Sequence, residues 1–105
     1  ATMGATLANR GINPITKAKV MDPKNPPYVM AVMATAGLYD NAGDWLYDTG
    51  TPAKSGVGGG ILAVVPGKLA IGTFSPKLDQ YGNSVRGQLA AKYIIEKLGL
   101  NPLAQ

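Results

Sequence analysis

From Tyr28 to Leu38 the chain has no charged residue, and its apolar side chains (Val29, Met30, Val32, Met33, Ala36) fall on every side of a helix instead of along one stripe. Asn25 is placed to cap that helix, Pro26 suits its first turn and Gly37 its end, so the pattern predicts a helix over 26–36. A helix apolar all round has to be covered all round. That is a heavy demand on 105 residues, which suffice for one small domain but not two. The strands that follow raise the demand further, because two apolar faces at 61–65 and 69–74 also need cover. The expectation is a partial core, with marginal stability, self-association or a non-covalent partner that supplies the missing part.

The remaining elements are read more simply. Residues 1–8 are uncharged and helix-compatible, and Asn9-Arg10-Gly11 is a stop, so they read as the last turns of a helix whose start is missing. Residues 10–27 hold Asn13-Pro14, Asp22-Pro23 and Asn25-Pro26-Pro27, the breakers of an ordered connecting loop. Residues 38–50 are rich in turn formers. Strands are predicted over 53–57, 60–65 and 69–75, with a Pro66-Gly67 hairpin turn between the last two. Asn83 or Ser84 can cap a final helix reaching Leu98, with Val85, Leu89, Tyr93, Ile94 and Leu98 as its buried stripe. The fold class is therefore α/β (α+β): an antiparallel three-stranded sheet piece plus helices.

Composition removes several kinds of chemistry. There is no histidine, so neither the usual zinc sites nor a histidine-based triad can be built within this chain, and no metal or organic cofactor is expected. Without cysteine there is no disulfide, which is compatible with a reducing, cytoplasmic compartment. The ten basic residues are scattered along the sequence and give a net charge of +4, without the concentrated stripe that nucleic-acid binding requires. No stretch approaches the roughly 18 apolar residues of a membrane span.

Residues 51–60 carry the chemistry. Thr-Pro-Ala-Lys-Ser-Gly-Val-Gly-Gly-Gly joins a cation, a hydroxyl and bare backbone at the point where the apolar run Ile61-Leu62-Ala63-Val64-Val65 begins. A phosphate loop would need glycine where Ala53 stands and a helix afterwards. A dinucleotide fingerprint would need glycine where Ile61 stands. Gly58, Gly59 and Gly60 instead read as a tight turn or bulge between strands. Lys54 alone would be a solvated edge charge and Ser55 alone a local hydrogen-bonder. Ser55, Ser75 and Ser84 are followed three residues on by Gly58, Leu78 and Gly87, so no Ser-x-x-Lys pair exists and no conventional serine nucleophile is available. Trp45 reads as a core aromatic. Tyr39, just past a helix end and ahead of the Lys54 strand, has a spacing that also allows it to face a cleft.

Lys54-Ser55-Gly56 resembles the Lys-Ser/Thr-Gly strand signature of penicillin-binding proteins and class A β-lactamases, whose other two signatures are missing here. A wider match is more specific. Gly37-Leu38-Tyr39-Asp40, Ala42-Gly43, the unbroken run from Pro52 to Pro66, Phe74-Ser75-Pro76, Leu78-Asp79 and Gly82-Asn83-Ser84-Val85-Arg86-Gly87 together resemble the serine-dependent glutaminases, in order and over nearly the whole chain. Thr6-Leu7-Ala8-Asn9, Gly11 and Asn13-Pro14 resemble the helix end and loop that precede them.

The resemblance implies a β-lactamase/transpeptidase-like fold, of which residues 1–105 are the C-terminal part of a single domain. It implies hydrolysis of L-glutamine to L-glutamate and ammonia through an acyl-enzyme, on a serine and lysine belonging to an N-terminal part that is absent here. L-glutamine, that N-terminal remainder and further copies of the complete protein in a homo-oligomer are the implied partners. By the same resemblance Tyr39 contacts glutamine, and the backbone N–H of Val57 holds the carboxamide oxygen. Lys54, Ser55 and Gly56 line the cleft, and Lys54 acts there through its field. On this reading the 105 residues alone are inactive.

Two other readings stay open. One is a β-lactamase or penicillin-binding-type serine hydrolase, against which the residues flanking Lys54 speak; a covalent penicillin adduct on the complete protein would favour it. The other is a non-catalytic interaction domain, which a sharp cooperative melt and selective glutamine binding would favour.

Overall fold

The computed structural model describes residues 1–104. Four helices, α1 (Thr2–Ala8), α2 (Pro26–Ala36), α3 (Ala42–Thr49) and α4 (Val85–Lys97), surround a sheet of β1 (Ala53–Ser55), β2 (Gly60–Val65) and β3 (Leu69–Phe74). The strands lie in the order β1-β2-β3, each antiparallel to its neighbour. Gly67 takes the left-handed conformation in the hairpin between β2 and β3, with the Lys68 N–H donating to the Val65 carbonyl. The bounds of α2 coincide with those read from its cap and stop signals. The Asn25 side chain, however, makes no capping bond; its carbonyl alone accepts from the first turn.

Alternation along the strands divides the sheet into two faces. Ala53, Ala63, Val65 and Ile71 face one way and pack with Leu38, Ala42, Trp45, Ala91, Ile95 and Leu100, so α3 and α4 cover that side. Val64 faces the other way and packs with Ala8 and Met33 of α1 and α2, flanked by Leu62, Leu7 and Met30. The central strand is thus covered on both faces, and Ile61, Ala63, Val64 and Val65 are all buried. This corrects the expectation that residues 61–65 lack cover: α1, short as it is, lies directly over β2 and β3. The demand made by α2 is unmet. Pro26 and Met33 are buried, while Tyr28, Val29 and Val32 are exposed.

Two further expectations change. The turn-rich residues 38–50 hold a short 3-10 turn (Tyr39–Asn41) followed by the full helix α3, whose buried residues Ala42, Trp45 and Thr49 recur at spacings of three and four. The indole N–H of Trp45 donates to the Thr51 carbonyl at 3.0 Å, and the Thr49 hydroxyl donates back to the Trp45 carbonyl at 2.8 Å. In α4 the buried face is Gly87, Gln88, Ala91 and Ile95, while Leu89, Tyr93 and Leu98 are exposed. The helix lies so close to β3 that a Cβ at residue 87 would come within 2.7 Å of the Thr73 hydroxyl. Close approach selects the small side chains, and the large apolar ones turn outward. The cap of α4 is Ser84, whose hydroxyl accepts from the Gly87 N–H at 3.0 Å.

Candidate active-site edge

β1 ends at Ser55, two residues sooner than predicted, because the chain turns back at once. The Gly59 N–H donates to the Gly56 carbonyl and the Gly56 N–H to the Gly60 carbonyl, both at 3.0 Å, closing a turn over 56–59. Gly59 has φ +103°, and a Cβ there would also meet the Ser75 carbonyl at 2.7 Å, so only glycine fits. Val57 stands at the second position of this turn, 68% exposed. Among the described residues its N–H donates to no acceptor. The turn therefore presents two bare backbone donors, Val57 and Gly58, held at the end of a strand.

Tyr39 reaches the same place from the end of α2. Its backbone is left-handed, with φ +54°, an uncommon conformation for a tyrosine and one that costs about 1–2 kcal/mol. The ring is partly exposed and lies against Gly82, and Val57 lies against the same glycine. A Cβ built on Gly82 would meet the Val57 side chain at 3.5 Å and the Tyr39 ring at 3.7 Å. The ammonium of Lys54 stands 4.9 Å from the centre of the Tyr39 ring and donates to the carbonyl of Ser55. Tyr39, Lys54 and Val57 are thus gathered at one end of β1.

Ser55 and Gly56 border an open groove of about 650 Å³ that also touches Lys54 and Thr73. A second, apolar groove of about 790 Å³ lies between α1, α2 and Leu62, and Lys54 borders both. Strand alternation buries the Ser55 side chain on the α4 side of the sheet, where its hydroxyl donates to Asn83 Oδ1 at 2.5 Å. Ser55 also binds the end of α2, its N–H donating to the Gly37 carbonyl at 2.9 Å.

The partners of Ser55 form a polar layer that spacing did not reveal. Asn83, wholly buried, donates through Nδ2 to the Leu38 carbonyl at 3.0 Å. Asp79 Oδ1 accepts from the N–H groups of Tyr81 and Asn83, and Asp79 Oδ2 accepts from Gln88 Nε2 at 3.0 Å. Gln88 Oε1 in turn accepts from Asn41 Nδ2 at 3.2 Å. Burial pushes the Asp79 carboxyl up, but the Gln88 amide and the N–H groups of Asn83, Tyr81 and Gly82 pull harder, and its pKa lies below the ordinary aspartate value. The sequence offers Asn83 as a possible helix cap and as part of the family-like run 82–87, and neither implies its bridge from Leu38 to Ser55. The place of Asn83 directly before the true cap, four residues after an aspartate, is the local signal of an Asx-type loop that could have marked it.

Among the described residues no group of three or more carboxylates could hold a metal ion, and no helix is long and apolar enough to cross a membrane.

The chain as a whole is similar to known proteins. Glutaminase 2 of Yersinia pestis is 56% identical to this chain over 96% of it, and the glutaminase of Desulfovibrio desulfuricans is 55% identical over 96%. The chain spans only about a third of their length, 30% and 33% respectively. Among solved structures, a probable glutaminase superposes with a TM-score of 0.94 at 55% identity, covering 96% of this chain and 33% of that one. The covalent complex between a Bacillus subtilis glutaminase and 5-oxo-L-norleucine, formed by reaction with 6-diazo-5-oxo-L-norleucine, superposes at 0.90 with 35% identity, covering 95% of this chain and 37% of that one. A model of the family described as Glutaminase matches residues 1–102. With that match over nearly every residue, the chain belongs to the glutaminase family.

Proposed function

We propose that this chain is the C-terminal part of an enzyme that hydrolyses L-glutamine to L-glutamate and ammonia through an acyl-serine, the serine and its lysine lying on chain that precedes Ala1. The observation that carries this reading is the bare N–H of Val57 beside the Tyr39 ring, both resting on Gly82. A fixed, unpaired donor suits the oxygen of a glutamine carboxamide, and it gains strength as that oxygen becomes an oxyanion in the tetrahedral intermediate. Tyr39 contacts the substrate from the opposite flank and is placed to exchange a proton with it. Lys54 adds positive potential at the groove edge without itself being the base. Ser55 and Gly56 form the wall and hold the Val57 turn in place. The Bacillus subtilis relative that forms a covalent complex with 5-oxo-L-norleucine supports a route through covalent attachment to the enzyme.

The reading extends to assembly. The N-terminal remainder of the same protein completes the cleft and covers the outer side of α2, and the complete protein forms a homo-oligomer in the cytoplasm. The 105 residues alone have no nucleophile–base pair and are inert.

Ammonia release from L-glutamine tests this on two samples. The 105-residue chain should release none, and the complete protein should turn over. In the complete protein Val57→Pro deletes the N–H at a turn position proline accepts, and should lower kcat on the order of a hundredfold or more. Turnover by the chain alone, or an unchanged kcat in Val57→Pro, would end this account.

A further inference from the structure

We propose that Asn83 is a positioning residue, whose buried carboxamide sets the Tyr39 ring and the Val57 N–H at a fixed distance from one another. The inference rests on the reading above, in which those two groups meet the substrate.

Tyr39 and Val57 lie on different elements, and no hydrogen bond joins them directly. Asn83 joins what stands behind each. Its Nδ2 donates to the carbonyl of Leu38, the residue before Tyr39, and its Oδ1 accepts the hydroxyl of Ser55, two residues before Val57. The carboxamide offers a donor and an acceptor on two separate atoms, so it can bond both partners at once. Aspartate has no amide N–H to give, and leucine has neither group. Asn83 and Ser84 are fully buried, so water cannot replace the lost partners.

The loop that carries Asn83 makes two more links to the same pair. Its Gly82 is the floor under both the Tyr39 ring and the Val57 side chain. Its Asp79 holds Gln88, which accepts from Asn41, two residues beyond Tyr39. Tyr39 is therefore anchored on both flanks, at Leu38 by Asn83 and at Asn41 by Gln88 of α4, which Asp79 in turn holds. Left-handed backbone at a tyrosine persists only where its surroundings over-determine it, and these two anchors supply that.

The test uses the complete protein, with Ser55→Ala as the mild variant and Asn83→Asp as the severe one. Steady-state kinetics on L-glutamine is paired with amide hydrogen exchange read by mass spectrometry. Each variant should lower kcat on the order of tenfold or more with KM nearly unchanged, since the lost alignment matters in the transition state. The double variant should be no slower than Asn83→Asp, because both break one connection. Exchange should quicken in segments 38–41 and 56–59 and stay unchanged in α4. If Asn83→Asp fails to fold, Ser55→Ala decides the matter. Wild-type kcat in a variant whose only change is a lower Tm makes Asn83 merely structural and overturns the proposal. If wild-type protein releases no ammonia, the glutaminase reading fails instead. The exchange data then judge Asn83, and unchanged exchange in both segments overturns it.

Discussion

Gly37 lies against the carbonyl of Ala53 so closely that a Cβ on residue 37 would stand 1.7 Å from that oxygen. Its backbone is ordinary right-handed helix, φ −73°, so conformation does not demand glycine there; the strand does. Gly37→Ala should destabilise the fold by about 3 kcal/mol, at the upper end of overpacking costs, because the obstruction is backbone and cannot rotate away. Urea unfolding measures it. A loss below about 1 kcal/mol would mean that α2 and β1 are not seated against each other as described.

The two sides of α4 should respond very differently. Ile95 is buried under the sheet and Tyr93 stands in solvent. Ile95→Ala should cost about 2–5 kcal/mol and Tyr93→Ala about 0.5 kcal/mol or less, measured on the 105-residue chain. Equal losses would restore the buried stripe that the large side chains had suggested.

Trp45 is the one tryptophan and sits in the core with its N–H on the Thr51 carbonyl. Trp45→Phe keeps most of the apolar surface but orphans that carbonyl, and should cost about 1–3 kcal/mol. Calorimetry reads the change, since the substitution removes the fluorophore. A neutral result would show that Thr51 finds another donor.

Asp79 makes stability depend on pH in a defined direction. Its folded-state pKa lies below the ordinary 3.8, despite the opposing effect of burial, because Gln88 and three backbone N–H groups bond the ionised form. Its contribution is therefore complete above the unfolded-state value and is lost as pH falls through the lower folded-state value. Asp79→Asn should be less stable than the parent at neutral pH, and the two should converge in acid. Parallel stability curves down to about pH 2 would contradict the shift.

Much of this structure was legible where local chemistry and tertiary need agree. Pro26 and Gly37 bracket α2, Pro66-Gly67 turns β2 into β3, and Ser84 starts α4. The readings that failed are those in which distant packing overrides local preference. Gly43 and the aspartates of α3 hide a helix that exists because Trp45 needs the core. In α4 residue size pointed to Leu89 and Tyr93, but proximity to β3 buries Gly87 and Ala91. At the site, the groups named by family resemblance lie together at the end of β1. The bonds that fix the layer of Asn83, Asp79 and Gln88 behind them were not legible, because a hydrogen bond spanning 28 or 45 residues leaves no periodic trace.

On the proposed role of Tyr39 in the complete protein, its left-handed backbone sets folding and chemistry against each other at one position. Asparagine or glycine would occupy that conformation at lower cost, so a library of residue-39 variants sorted only for how well each folds should drift away from tyrosine. Sorted for ammonia release, the same library should return to it. Tyr39 would then be a residue kept in spite of the fold.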